Sequence, residues 1–509
     1  MSVRPLIAIC GTTGVGKSKL AIEIALALSQ SQTHSKQHFA GYTGARIINA
    51  DAMQVYAGMD IITNKVPVHE QSGVEHLLMG FKKPGEQYVV GQWVKDAMNL
   101  INETHQQNKL PIVVGGTSYW IQHLVFPGRL ATFDEATSDI PAAPSVTTEL
   151  SENLALALSA LPDELINLYD HLPEPPPLAA DDPDAAFALH RLLSSLDPLV
   201  GQRWHWKDTR KVMRSLRIIR ESGRLSSELI QEQSGTELPP RYRTLFFWLY
   251  AKPDSLEPRL DNRVDDMLQG LLREVDELIR EAAYAEGRGP SEPSISKTYD
   301  DVPMDYTLGI YQSIGYREFS SYLLHNKELS PPREEDKLFS AAVERMKLST
   351  RQYARRQIKW IRNKLLPAVY SANSSFDQAD SGNDNFVPTY LLDATEIGDK
   401  WVSEVQTPAL QITEAFLHGR PLPEPASLSE VAREMLAIPD KPTNPGAVLE
   451  ARRRIVCTTC TDEGEKPVMI EQGKEWDVHV RTKRHRNAAR RSERPQYEKG
   501  RRSPAPASS

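Results

Sequence analysis

The chain has 509 residues, of which 40% are hydrophobic, so it is long enough to bury a large core and to form two or three domains. It contains no long apolar run, which argues against a membrane-spanning protein. Three cysteines are too few for a disulfide framework. The net charge is −7, yet residues 480–509 hold ten lysines and arginines against two glutamates. Such local excesses say more about binding partners than the total charge does.

The first predicted elements are a strand, a glycine-rich turn and a helix. Residues 6–10 are apolar and begin so early that no signal peptide is expected before them. Leu20, Ile24 and Leu28 then recur at the spacing of one helix face. Between them lies G-x-x-x-x-G-K-S, a phosphate-binding loop whose backbone N–H groups surround an anion at a helix N-terminus. The expected diphosphate-binding residues are Gly11, Thr12, Thr13, Gly14, Val15, Gly16, Lys17 and Ser18, with Lys17 reaching the phosphate oxygens and Ser18 in the position of a Mg²⁺ ligand.

Two further strands are predicted beside this loop. The strand at 46–48 runs into the polar turn N-A-D-A-M-Q-V-Y, which places Asp51 at the strand's carboxyl end. A carboxylate there, beside a phosphate-binding loop, faces the ligand crevice. The strand at 111–114 ends in Gly-Gly-Thr, where Walker-type ATPases are expected to carry Asp. That difference argues against a motor or switch NTPase.

The motifs resemble those of the tRNA dimethylallyltransferases, isopentenyltransferases that act on the adenosine next to the anticodon. The matching stretches follow the family's order over about 6–365 and are G-T-T-G-V-G-K-S, N-A-D-A-M-Q-V-Y, I-I-T-N-K, V-V-G-G-T-S-Y, H-W-K-D-T-R-K-V-M-R-S-L-R, L-D-N-R-V-D-D-M-L, Q-S-I-G-Y-R-E-F and S-T-R-Q-Y-A-R-R-Q-I-K-W-I. One difference is Ala52, where many members carry Ser. The alanine lacks the hydroxyl with which a serine could contact the RNA, and it leaves Asp51 unchanged.

The resemblance implies a P-loop NTPase-like α/β core with a parallel sheet, a helical insertion domain and a small C-terminal C2H2 zinc finger. It implies transfer of a dimethylallyl group from dimethylallyl diphosphate to the N6 amine of adenosine 37, in tRNAs that read codons beginning with U, without ATP. Asp51 would be the general base, assisted by Thr13, Lys17 and Arg214, with Mg²⁺ at Ser18. The expected tRNA-binding residues are Asp51, Ala52, Met53, Gln54, Thr117, Arg210, Lys211, Arg214, Lys347, Arg351, Arg355 and Lys359.

One predicted helix, around residues 339–365, carries a basic stripe. Lys347, Arg351, Arg355, Lys359 and Arg362 step by three or four residues and share one face. The stripe contains no compensating acid, and it therefore predicts contact with RNA phosphates, the alternative being a solvated surface. An apolar helical stripe is attributed instead to core packing; it consists of Leu260, Val264, Met267, Leu268, Leu271, Val275 and Leu278.

The C-terminal region contains a candidate zinc site. Cys457 and Cys460 form a C-x-x-C pair, and His479 and His485 follow after eighteen residues. Two thiolates and two imidazoles form a tetrahedral zinc ligand set. The spacing resembles the matrin/U1-like finger of eukaryotic members of the same family. The alternative is two free thiols and two surface histidines in a disordered tail; because so short a segment cannot build a core unaided, zinc is favoured.

The expected domain organisation follows from these motifs and from composition. In chain order it comprises the first part of the core at 1–127, a mainly helical insertion at 128–203, the rest of the core at 204–420 with a disordered loop at 371–385, a linker at 421–450, the finger at 451–488 and a basic disordered tail at 489–509.

Two other functions are compatible with parts of the sequence. A small-molecule P-loop kinase would share the phosphate-binding loop and a strand-end Asp, but it gives the basic helix and the finger no purpose. A non-catalytic RNA-binding zinc-finger protein would not need the intact Gly16, Lys17 and Asp51. We expect a monomer in the cytoplasm, without membrane attachment; the sequence leaves the nucleus and mitochondrion open.

Overall fold

The computed structural model of the chain describes residues 4–34, 41–127, 150–234, 239–285, 309–325, 336–374, 386–439, 449, 453–462 and 466–492. The chain divides into two compact units, the first formed by residues 1–141 and 238–443 and the second by residues 142–237 and 444–509. Within the described ranges, no helix combines the length and the apolar character needed to cross a bilayer.

The first unit is built on a six-stranded parallel sheet. Its strands are β1 (Pro5–Gly11), β2 (Ala45–Asn49), β3 (His76–Leu77), β4 (Leu110–Val114), β5 (Arg243–Tyr250) and β6 (Thr389–Asp393), in the spatial order β3-β2-β4-β1-β5-β6. The strands predicted at 6–10, 46–48 and 111–114 are confirmed. Their near-continuous apolar character is typical of parallel strands that are buried on both faces.

Helices cover both faces of this sheet and form most of the second unit. Numbered along the chain, they are α1 (Lys17–His34), α2 (Val90–Gln106), α3 (Ser118–Val125), α4 (Glu152–Ser159), α5 (Asp163–Asp170), α6 (Pro183–Leu196), α7 (Pro198–Gly201), α8 (Thr209–Ser222), α9 (Ser226–Ser234), α10 (Pro253–Ala285), α11 (Tyr316–His325), α12 (Lys337–Trp360), α13 (Leu366–Asn373), α14 (Asp399–Trp401), α15 (Thr407–Leu417), α16 (Glu430–Leu436), α17 (Lys474–Val480) and α18 (Lys483–Ser492). Single π-helical turns at Ile361–Leu365 and Val402–Gln406 join α12 to α13 and α14 to α15.

Alternate residues of each strand pack into separate apolar layers. In β1, Leu6 and Ala8 belong to the layer under α2, α3 and α10, whereas Ile7 and Ile9 belong to the layer under α1 and α15. This is the two-residue period of a strand. Six of the seven residues in the apolar stripe of α10 are buried in these layers and Leu268 is partly buried, as expected for core packing.

The second unit extends further along the chain than the sequence indicated. We expected residues from 204 onward to rejoin the core, but α8 packs on α6. The reason is the apolar face of α8, where Val212, Met213 and Leu216 are buried together with Leu189 and Leu193. Residues 204–237 therefore belong with the insertion, and the chain re-enters the first unit near β5.

The C-terminal finger belongs to this second unit as well. Its antiparallel hairpin consists of β7 (Arg454–Val456) and β8 (Met469–Glu471). Trp206 donates its indole N–H to the carbonyl oxygen of Pro467 at 3.0 Å, and Met469 packs with Trp206 and Ala186. Lys466 pairs with Asp184 at 2.5 Å. The sequence predicted a separate finger domain behind a linker, but the finger completes its small core by docking on the insertion.

Three segments expected to lack structure are partly ordered. Of the linker 421–450, residues Glu430–Leu436 form α16, whose Val431, Ala432 and Met435 are buried. Of the loop 371–385, residues 371–373 complete α13, while 375–385 lie outside the described residues. Of the tail 489–509, residues 489–492 belong to α18, and 493–509 lie outside the described residues.

Candidate active site

A crevice of about 1690 Å³ opens at the carboxyl ends of the strands in the first unit. The phosphate-binding loop, the turn after β2, the Gly-Gly turn after β4, and helices α10 and α12 line it. A doubly wound parallel sheet is expected to bind its ligands at this edge.

The glycine-rich loop has the conformation that its sequence predicts. Thr13, Gly14, Gly16, Lys17 and Ser18 line the crevice. Gly16 has φ +89°, and a Cβ at this position would approach the Trp401 ring to 2.6 Å, so only glycine fits. The other three predicted loop residues are buried rather than exposed to the crevice; they are Gly11, Thr12 and Val15.

Asp51, just after the carboxyl end of β2, is held in place by hydrogen bonds with its neighbours. Its Oδ1 accepts from the Met53 N–H at 3.0 Å, and the Asn49 side chain accepts from the Asp51 N–H at 3.1 Å and donates to the Asp51 carbonyl at 3.2 Å. A Cβ at Gly116 would lie 3.0 Å from Asp51 Oδ2, and one at Gly115 would lie 2.0 Å from the Ala50 carbonyl oxygen. The Gly-Gly turn is therefore required for β4 to pass so close to Asp51.

Thr117 and Gln54 stabilise the turn that carries Asp51. Thr117 Oγ1 accepts from the Ala52 N–H at 3.0 Å. The Gln54 side chain donates to the carbonyl oxygens of Thr63 and Asn64 at 3.1 and 3.0 Å. Gln54 also lines the crevice. The expected contacts of these residues with tRNA stay predictions.

Among the charged residues that line the crevice, Lys17 and Arg263 both lie within electrostatic reach of Asp51. Burial lowers the pKa of Lys17 to about 8, opposed by the charge of Asp51 and reinforced by that of Arg263. Burial also lowers the pKa of Arg263, again opposed by Asp51. A pKa of about 8 keeps most of Lys17 protonated at pH 7, and both cations are placed to attract an anion.

Arg263 was not among the predicted site residues, although it lies in the family-matching stretch L-D-N-R-V-D-D-M-L, because only the apolar stripe of α10 was assigned a role. Arg263, Asp266, Gly270 and Arg273 all line the crevice. Their spacing of three, four and three residues forms a second, polar face of the same helix. From this spacing, the sequence alone could have predicted that these residues of α10 share a face that lines a binding site.

Gln357 of α12 was also missed. Its side chain is 6% exposed, accepts from the Thr13 N–H at 2.9 Å and donates to the Gly116 carbonyl at 3.1 Å. Tyr353, one turn earlier, hydrogen-bonds Gln357; burial, and next the charge of Asp51, raises the pKa of its hydroxyl. Both residues lie in the stretch S-T-R-Q-Y-A-R-R-Q, for which the sequence predicted an RNA-binding role of the basic residues only.

The basic stripe of α12 does not lack compensating acids. Lys347, Arg351 and Arg355 pair with three acids of α10 at 2.5 to 2.8 Å; these partners are Asp265, Asp261 and Glu257. Arg362 donates to the Ala437 carbonyl at 3.0 Å, and Lys359 is exposed. The expectation of a stripe without acids was wrong, because the acids are supplied by a neighbouring helix. We call these three ion pairs the α10–α12 zipper.

The other basic residues predicted to bind tRNA lie on α8 in the second unit. Arg210, Lys211 and Arg214 are exposed there. Lys211 pairs with Asp208 at 2.5 Å, and its ammonium lies 5.1 Å from the centre of the Trp204 ring. The role of Arg214 on the leaving group and the RNA contacts of all three stay predictions.

The four predicted zinc ligands converge in the finger. The ligand atoms of Cys457, Cys460, His479 and His485 lie within 4.8 Å of one another. His485 Nδ1 is 3.4 and 3.5 Å from the two sulfurs and 3.2 Å from His479 Nε2. Tetrahedral zinc, with bonds of about 2.0 to 2.3 Å, brings its ligand atoms to separations of this size.

Comparison with known proteins identifies one family throughout. Residues 54–364 match the IPP transferase family. A tRNA dimethylallyltransferase of Schizosaccharomyces pombe is 33% identical over 96% of this chain and 96% of its own length. One of Saccharomyces cerevisiae is 31% identical over 96% of this chain and 93% of its own length. A crystallised eukaryotic dimethylallyltransferase acting on tRNA superposes with a TM-score of 0.67 at 29% identity, covering 96% of this chain and 97% of that one.

Proposed function

The chain belongs to the tRNA dimethylallyltransferase family, and on that basis we propose that it transfers a dimethylallyl group from dimethylallyl diphosphate to tRNA. The acceptor is the N6 amine of adenosine 37 in tRNAs that read codons beginning with U, and the product is N6-isopentenyladenosine. The observation that carries the proposal is the convergence of Lys17, Arg263 and Asp51 on one crevice. This set supplies cations for a leaving diphosphate and a base for an attacking amine.

The leaving group is the diphosphate in the glycine-rich loop. Its phosphates accept from backbone N–H groups of the loop at the N-terminus of α1. Lys17 and Arg263 stabilise the charge that grows on the diphosphate as its bond to carbon breaks. Ser18, the second residue of α1, fits a Mg²⁺ ligand, and the ion would add positive charge to the same phosphates.

The acceptor amine is activated by Asp51. The target base must leave the stack of the anticodon loop to bring its N6 amine to Asp51 in the crevice. Its N6 nitrogen then attacks C1 of the dimethylallyl group, the C1–O bond breaks, and pyrophosphate leaves with the bonding electron pair. Asp51 accepts the proton that N6 loses.

The second unit supplies affinity for tRNA in this proposal. Cys457, Cys460, His479 and His485 would hold a structural Zn²⁺, which would stabilise the finger without taking part in chemistry. The exposed basic residues of α8 and the basic helix α18 offer contacts to RNA phosphates.

The proposal is tested by incubating the protein with dimethylallyl diphosphate labelled at C1, unmodified tRNA and Mg²⁺, with no ATP present. We expect the label to appear in the nucleoside next to the anticodon as N6-isopentenyladenosine. The proposal would be contradicted if the label appeared only in dimethylallyl alcohol, the product of hydrolysis, or if transfer to tRNA required ATP.

A further inference from the structure

Gln357 connects the two halves of the crevice through a single side chain. Its Oε1 accepts from the Thr13 N–H at 2.9 Å, and its Nε2 donates to the Gly116 carbonyl at 3.1 Å. Thr13 belongs to the phosphate-binding loop after β1, and Gly116 belongs to the turn after β4 that backs Asp51. One amide group therefore joins the loop that holds the leaving group to the turn that holds the base.

The surroundings of Gln357 leave it little freedom. It is 6% exposed, and a Cβ at Gly116 would lie 2.7 Å from its Nε2 and 3.6 Å from the Tyr353 hydroxyl. Tyr353 hydrogen-bonds the Gln357 side chain. Glutamine suits this place because its amide both donates and accepts while carrying no charge that would repel a diphosphate.

An amine attacking C1 must approach opposite the departing diphosphate oxygen. A misplacement of about 1 Å between reacting groups costs on the order of 10²-fold in rate. The diphosphate is located by the loop that contains Thr13, and the amine is located by Asp51 beside Gly116. The separation between these two anchors therefore determines whether the reacting atoms are aligned.

Resting on the proposed function, we infer that Gln357 is a positioning residue that sets the distance between the bound diphosphate and the acceptor amine. It contacts the two loops and leaves proton transfer to Asp51. Tyr353 supports it by restricting the orientation of its amide.

The test variant is Gln357→Met, which keeps the length of the side chain and removes both hydrogen bonds. Its matched control is Gln352→Met on the exposed face of the same helix. Three quantities are measured separately: the Kd for dimethylallyl diphosphate, the Kd for tRNA and the single-turnover rate with both substrates bound. We expect the rate of Gln357→Met to fall on the order of 10²-fold while both Kd values change less than about threefold. Gln352→Met should match the wild type.

A parallel loss of diphosphate affinity and rate would overturn the inference, because Gln357 would then act only on the phosphate-binding loop. An unchanged rate would overturn it as well. If Gln357→Met lowers the Tm, the test is repeated with Tyr353→Phe, which removes one hydroxyl. We expect a smaller fall in the single-turnover rate, again with both Kd values nearly unchanged. Failure of the proposed function would look different, because the wild type itself would then transfer no label, and both proposals would fall together.

Discussion

The crevice and the α10–α12 zipper use charged residues of the same helices in opposite ways. Arg263 of α10 points into the crevice, where it faces Lys17 and Asp51. Asp261 and Asp265, on either side of it in sequence, pair instead with Arg351 and Lys347 of α12. The zipper charges pair with one another, whereas Lys17 and Arg263 face the crevice together with Asp51 and are placed to attract an anion.

The difference between the crevice and the zipper shows how much a pattern of charged residues in the sequence reveals about their contacts. A periodic run of basic residues shows that they share a helix face, but not what the face contacts. Ion pairs of this kind, partly exposed, stabilise a protein by only about 0.2 to 1 kcal/mol each. Their effect is to hold together the two helices that carry Arg263 and Gln357, and thus to position the walls of the crevice.

The largest expected effect is the loss of rate on removing the proposed base, Asp51, compared with removing another acid of the first unit. Asp51→Asn should lower the single-turnover rate by a factor on the order of 10² to 10⁴, because the N6 proton loses its acceptor, while tRNA still binds. Quench-flow measurement of labelled tRNA gives the rate, and Asp254→Asn on the exposed start of α10 is the control. Near-normal turnover of Asp51→Asn would remove it from the mechanism.

The second prediction concerns the cations of the crevice and their pH dependence. The pKa of Lys17 is about 8 in the free protein, below its ordinary value of 10.5. A bound diphosphate favours the protonated form, so its Kd should rise as the pH increases through 8, by about tenfold per pH unit above it. Equilibrium binding of dimethylallyl diphosphate between pH 7 and 9.5 measures this.

Lys17→Arg should remove most of that slope, since arginine stays protonated over the whole range. The same slope in both proteins would assign the titration to another group.

The alanine variants of the two cations should differ. Lys17→Ala should weaken diphosphate binding and turnover together, whereas Arg263→Ala should lower turnover more than affinity if it acts on the developing pyrophosphate. Arg214→Ala, measured in the same assays, tests whether the arginine of α8 acts on the leaving group, as its motif implied.

The third prediction asks where tRNA affinity resides if the zipper does not supply it. Cys457→Ser with Cys460→Ser should release zinc and unfold the finger. The KM for tRNA should rise severalfold and depend less on salt, while turnover at saturating tRNA stays within about twofold. Thr458→Ser, between the two cysteines, controls for substitution in the same loop. Loss of turnover at saturating tRNA, with the first unit still folded, would contradict this separation of affinity from chemistry.

The smallest expected effect tests the zipper itself. Arg351→Ala should lower the free energy of unfolding by about 1 kcal/mol, and pairing it with Asp261→Ala should cost little more. Neither change should alter the salt dependence of tRNA binding. Lys359→Ala, on the exposed part of the same helix, should instead reduce the slope of log Kd against log salt by about 1. If Arg351→Ala has the larger effect on that slope, the stripe contacts RNA as its sequence first indicated.

The sequence by itself determined the phosphate-binding loop, Asp51 at a strand end and the grouping of Cys457, Cys460, His479 and His485. Each of these rests on residues close together in the chain, where strand, turn and helix geometry relate sequence spacing directly to position. The Gly-Gly turn after β4 was also visible, although its reason, the approach of Ala50 and Asp51, was not.

Only the tertiary structure decided which long-range partners these residues have. Arg263 and Gln357 reach the crevice because α10 and α12 pack beside the sheet. The acids that pair with three residues of the basic stripe lie about ninety residues away in sequence. The finger docks on the insertion through Trp206, 261 residues from its partner Pro467. Helical period shows which side chains share a face, but the partner of that face depends on packing between distant elements, which no local pattern records.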